Sequence, residues 1–115
     1  MSRVIHADNS EFFRKLMRSF LSEIGLESES FDRGEDVINE VNAGEVSFVI
    51  TGLALADMSG EELIKRIIAS SHPVPVITVT SNDEAVQVKR LGALGVKANI
   101  LKSGDWKGEL RNVLG

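Results

Sequence analysis

The chain has no cysteine and only two prolines among its 115 residues. Without cysteine it can build neither disulfides nor thiolate metal sites, and the redox character of its compartment leaves no mark. No apolar run approaches the ~20 residues that a membrane span requires. The opening residues, MSRVIHADNS, lack the apolar stretch of a secretory signal, so a cytoplasmic location and no membrane contact are expected. A basic excess is missing too. Thirteen Lys and Arg against seventeen Asp and Glu leave a net charge of −4, which is no footprint for a nucleic-acid backbone. The two histidines, His6 and His72, have no spacing that would hold a metal, and no Ser-His-Asp or nucleophile-elbow sequence is present.

What remains is ordinary for a globular protein: 43% hydrophobic and 26% charged residues, enough for one domain, 1–115, with a real core. Short apolar runs alternate with amphipathic ones. Arg3–Ala7 reads as a strand, and Asp8 or Asn9 is placed to cap a helix running to about Ile24, with Gly25 as its left-handed stop. Phe13, Leu16, Met17, Phe20, Leu21 and Ile24 form its inward stripe. Glu27–Phe31 is a weak strand with alternating charge, suited to a sheet edge. Gly34–Ala43 is a helix, and Phe48-Val49-Ile50 marks a strand buried on both faces. Ser59 with Glu62 fits a capping box for a helix to Ser70. Val74–Thr80 is the next strand, Ser81 with Glu84 a second capping box, Ala98–Leu101 the last strand, and Asp105 the cap of a final helix.

Five strands alternating with five helices predict a three-layer α/β sandwich around a parallel sheet with right-handed crossovers. Sites in such sheets lie beyond the carboxyl ends of the strands. That rule gathers Ala7-Asp8-Asn9, Thr51-Gly52-Leu53, Thr80-Ser81 and Leu101-Lys102 at one edge.

The stretch Val46–Gly60, VSFVITGLALADMSG, resembles the third strand and following loop of response-regulator receiver domains, the CheY-like family, and the spacing of the four pieces matches as well. The resemblance implies strand order 2-1-3-4-5 and a role in two-component phosphorelay signalling, not an enzyme. It implies an acidic pair after the first strand, a phosphoacceptor Asp after the third, a hydroxyl residue after the fourth and a Lys after the fifth. Asp8, Thr80 and Lys102 match. Asn9 stands at the second acid, Gly52 at the phosphoacceptor, Ser103 at a usual proline and Asn99 at a common aromatic switch position.

A carboxylate nucleophile and a Mg²⁺-binding acidic cluster are therefore both incomplete. The expectation is a degenerate receiver, or pseudo-receiver, with no catalytic residue, no metal site and weak or absent Mg²⁺ binding, Asp8 being the one acidic ligand retained. Asp8 and Lys102 are expected to pair, directly or through water. Asp57, in the same loop as Gly52, reads as a loop-capping residue. Partners would be a signalling protein or a fused output domain. The family's usual contact face, helix four, strand five and helix five, would carry Lys89, Lys97, Asn99, Lys107 and Arg111 and could also join two copies. Alternatives are a small-anion or metabolite sensor in the vacated site, and residual phosphotransfer through another residue.

Overall fold

The computed structural model describes residues 3–81 and 85–115, with the backbone alone over 85–88. Along the chain run β1 (Arg3–Ala7), α1 (Glu11–Glu23), β2 (Ser28–Phe31), α2 (Gly34–Ala43), β3 (Val46–Thr51), α3 (Gly60–Ile68), β4 (Val76–Thr80), α4 (Ala85–Leu94), β5 (Ala98–Leu101) and α5 (Trp106–Leu114). The strands form one parallel sheet in the order β2-β1-β3-β4-β5, as expected.

The near-continuous apolar character of the strands follows from this layering. Successive residues of a strand point to opposite faces, and both faces are covered. Ile5, Val49 and Val76 pack with α2, α3 and Leu91 of α4, through Val37, Val41, Leu63, Ile64 and Ile67. Their neighbours Val4, Ile50 and Ile77 pack on the other side with α1 and α5, through Phe13, Met17, Phe20, Leu21 and Leu110. Trp106 joins this second core, its ring 5.0 Å from Phe13 and 5.5 Å from Phe20 between centroids.

Helix ends depart from the sequence reading in instructive ways. Ser10, rather than Asp8 or Asn9, caps α1, its hydroxyl accepting from the Phe13 N–H at 3.1 Å. Asp8 instead accepts from the Ser10 N–H and fixes the cap residue itself. Ser59 and Asp105 cap α3 and α5 as anticipated, although the Glu62 carboxylate makes no return bond among the described residues. Helix α3 stops at Ile68, with Ala69 as its C-cap. Strand β4 begins only at Val76, because Pro75 has no N–H to lend and contributes only its carbonyl, to Val49. The proposed box of Ser81 with Glu84 lies outside the described residues.

The largest surprise is the start of α2. Its N-cap position is Arg33, which makes no side-chain cap. Asp57 supplies the missing acceptors from the β3–α3 loop, taking the N–H groups of Gly34 at 2.7 Å and Glu35 at 3.0 Å. Asp57 does cap, but a helix distant in sequence. Burial pushes its carboxyl up, yet these backbone donors, with Arg33 alongside, hold it below the ordinary carboxylate range. That loop is thus tied to α2, further secured by the Ala56 N–H on the Asp32 carbonyl.

Glycine is demanded at the join between β3 and α3. A Cβ on Gly60 would fall 2.2 Å from the Gly52 carbonyl oxygen and 2.8 Å from the Leu53 Cα, both backbone atoms that cannot swing away. Gly60→Ala is expected to cost about 1–3 kcal/mol of stability through forced separation of the two elements. Urea unfolding of the variant measures it, and a midpoint unchanged from the parent would contradict the close approach.

Candidate functional site

Asp8, Asn9, Gly52, Thr80 and Lys102 line one cleft of about 290 Å³ at the carboxyl edge of the sheet, together with Leu53, Ala54, Val79 and Ser81. The strand ends put them there. Asp8 follows β1, Gly52 follows β3, Thr80 ends β4 and Lys102 follows β5. Backbone bonds lock these ends in register. The Gly52 N–H donates to the Ala7 carbonyl at 2.8 Å, and the Lys102 N–H donates to the Thr80 carbonyl at 2.9 Å. The Thr51 hydroxyl donates to the Gly52 carbonyl at 2.8 Å.

At the floor of the cleft Lys102 Nζ lies 2.8 Å from Asp8 Oδ2, a direct ion pair. Asp8 is almost fully buried, its side chain 4% exposed, whereas Lys102 keeps 26% of its own in contact with solvent. The other Asp8 oxygen, Oδ1, accepts from the Ser10 N–H at 2.9 Å. Lys102 has a second attachment, its ammonium sitting 4.2 Å above the Phe13 ring centroid. Both charged groups are therefore engaged on two sides. The pair spans β3 and β4, since β1 and β5 are separated by those two strands in the sheet.

Gly52 makes room for this arrangement. A Cβ there would come 2.9 Å from Asp8 Oδ2 and 3.4 Å from its Cγ. Any side chain at position 52 would have to displace the carboxylate that holds Lys102. The glycine φ is not in the left-handed region, so space, not backbone conformation, is what glycine provides here.

The donor set does not fit Mg²⁺. A hard cation of this kind wants carboxylate oxygens and retained waters. Among the described residues Asp8 is the only carboxylate lining the cleft, and its two oxygens meet an ammonium and a backbone N–H. Among the described residues no group of three or more His, Asp or Glu is arranged to hold a metal.

With this geometry in view, comparison with known proteins identifies the fold family. Residues 4–114 match the response regulator receiver domain. The chain belongs to that family. Among curated relatives, this receiver domain is 22% identical over 106 residues to the transcriptional regulatory protein PcoR of Escherichia coli, covering 92% of the chain and 47% of PcoR. It is 28% identical over 120 residues to ethylene receptor 2 of Arabidopsis thaliana, covering 97% of the chain and 16% of the receptor. The chain thus spans half or less of the curated relatives it matches. Chemotaxis protein CheY4 of Vibrio cholerae superposes with a TM-score of 0.88 at 19% identity, covering 99% of this chain and 97% of that one.

The remaining residues singled out from the sequence fall in different places. Lys89 on α4 and Lys97 before β5 are exposed, as is Lys107 on α5. Asn99 is half-buried in β5 and accepts from the Thr78 hydroxyl at 2.5 Å. Arg111 turns away from β5 toward α1, its guanidinium 5.7 Å from the Phe20 ring, beside Ile24, Leu26 and Leu114. Arg111 is also exposed, with its guanidinium set against α1 through Phe20.

His6, which the sequence offered no metal-ligand role, lies near the site. His6 is fully buried in β1, with Nδ1 3.3 Å from the Ser30 hydroxyl and Nε2 without a partner. Burial pushes its pKa down from 6.5 to about 4, Asp8 opposing and Lys102, Arg14 and Arg18 assisting. In the unfolded chain His6 binds its proton at ordinary pKa, so between pH 6.5 and about 4 the unfolded state holds the extra proton and stability falls as pH falls. The contribution is on the order of 3 kcal/mol across that window and nil above it. Urea unfolding from pH 7 to pH 4 should show this loss, and His6→Asn should flatten the curve. An equal slope in the variant would assign the pH dependence elsewhere.

Proposed function

We propose that this receiver domain signals through protein contact without accepting a phosphoryl group at position 52. The observation that carries the reading is the ion pair of Asp8 with Lys102 above Gly52. A nucleophilic carboxylate is missing from the end of β3, and the ammonium that would steady added phosphoryl charge already has a carboxylate partner. The poor donor set supports weak or absent Mg²⁺ binding in the same terms.

A single charge-neutral arrangement favours one resting conformation over a switch. Asn99, tethered to Thr78, supports the same view. The partner would be a signalling protein or an output domain joined to this one, in the cytoplasm, with no direct nucleic-acid contact by this domain. Receiver domains are commonly joined to output domains, and the share of PcoR that this chain spans is in keeping with that. The exposed Lys89, Lys97 and Lys107 would suit an acidic partner face or a second copy at α4, β5 and α5. The alternative of an anion sensor in the vacated cleft is disfavoured by Asp8, whose charge must be offset before Lys102 is free to bind.

Intact mass after incubation with a small acyl phosphate and Mg²⁺ tests the reading. No added phosphoryl group is expected. One stable phosphoryl group per chain, under conditions that label an ordinary receiver, would revive phosphotransfer through another residue and overturn it.

A further inference from the structure

A second cleft, of about 340 Å³, lies between α1 and the edge strand β2, apart from the cleft at Gly52. Glu11, Arg14, Lys15, Arg18, Ser30 and Asp32 line it along with Phe31. The chain as a whole is acidic, yet three basic residues of α1, Arg14, Lys15 and Arg18, converge here. Glu11 is spent on Lys15, at 3.3 Å. Two guanidiniums then face one exposed carboxylate, Asp32, and the cleft is left net positive.

Arg14 and Arg18 are one helical turn apart, which sets their side chains side by side on one face. Arg14 is held in place, its Nη1 donating to the Asp8 carbonyl at 2.8 Å while its other N–H groups stay available. Arg18 has no hydrogen-bond or ion-pair partner among the described residues. Opposite them stands the Ser30 hydroxyl, 3.3 Å from His6 Nδ1. An unpartnered buried N–H is rarer than an unpartnered buried acceptor, which places the His6 proton on Nδ1 and leaves Nε2 bare. Nδ1–H then donates to Ser30, and the serine's own O–H is free to point into the cleft.

We propose that this cleft binds a phosphate monoester or inorganic phosphate, with Arg14 and Arg18 taking the oxygens in forked, charge-assisted bonds and Ser30 adding a neutral one. Guanidiniums suit this geometry because their planar donors match a tetrahedral oxyanion two bonds at a time. One arginine is fixed beforehand by the main chain, so less freedom is lost on binding. The site is separate from Gly52 and holds or fails independently of the phosphorylation-free reading.

Amide NMR of the intact chain, titrated with inorganic phosphate and with glycerol phosphate against sodium chloride at matched ionic strength, tests it. Saturable shifts in Arg14, Arg18 and Ser30 are expected, and Arg18→Gln should weaken binding about tenfold. Arg18 is exposed, so Arg18→Gln is not expected to impair folding. Ser30→Ala should weaken binding less, and because it also removes the partner of buried His6, its amide spectrum is first checked for the native fold. Comparable affinity for both probes supports recognition of the phosphate group alone, and tighter glycerol phosphate supports a small organic phosphate. Shifts that chloride reproduces, shifts confined to the Gly52 cleft, or unchanged affinity in Arg18→Gln would each overturn the proposal.

Discussion

The ion pair between Asp8 and Lys102 is the constraint on which the functional edge of this receiver domain depends. It joins the ends of β1 and β5 across two intervening strands, and each partner is held again from a second direction. Bringing a carboxylate out of water is costly, and its attraction to an ammonium repays that only when the remaining lone pairs are satisfied. Here the Ser10 N–H meets the second Asp8 oxygen, and the Phe13 ring face meets the ammonium. In a site with three carboxylates, mutual repulsion would be relieved by a cation. Among the described residues of the cleft one carboxylate meets one ammonium, and each offsets the other's charge.

Gly52 takes on a positive role in this light. Its lack of a side chain is the space in which Asp8 Oδ2 reaches Lys102. The same residue also abuts α3 through its carbonyl, which excludes any Cβ at Gly60. Two glycines therefore fix how closely β1, β3 and α3 approach, while Asp57 ties the intervening loop to α2. The geometry of the edge is set by backbone proximity as much as by charge.

Much of the fold was legible in the sequence because its signals are local and repetitive. Doubly buried strands such as Phe48-Val49-Ile50, the stripe from Phe13 to Leu21, and the stop at Gly25 each announce themselves within a few residues. That Asp8, Asn9, Gly52, Thr80 and Lys102 meet at one edge was legible through strand-end spacing, and a pairing of Asp8 with Lys102 followed from leaving one charge of each sign there, whereas its direct form was not legible. What was hidden is non-local. Nothing near Arg33 announces that Asp57 will cap its helix, since the two meet only after β3 is in place. The turn of Arg111 toward Phe20 depends on how α5 rotates against α1. The cleft at Arg14 and Arg18 needed the edge strand beside them, where the Ser30 hydroxyl lies against His6.

The central claim is that the edge is electrostatically complete without a divalent cation. The most direct measurement is the ¹⁵N-resolved ammonium resonance of Lys102 while Mg²⁺ is added at constant ionic strength. The account predicts a resonance slowed in exchange by its contact with Asp8, lost in Asp8→Asn and unmoved by Mg²⁺. A resonance that shifts and saturates with Mg²⁺ would contradict it, because the cation would then be taking Asp8 away from the lysine.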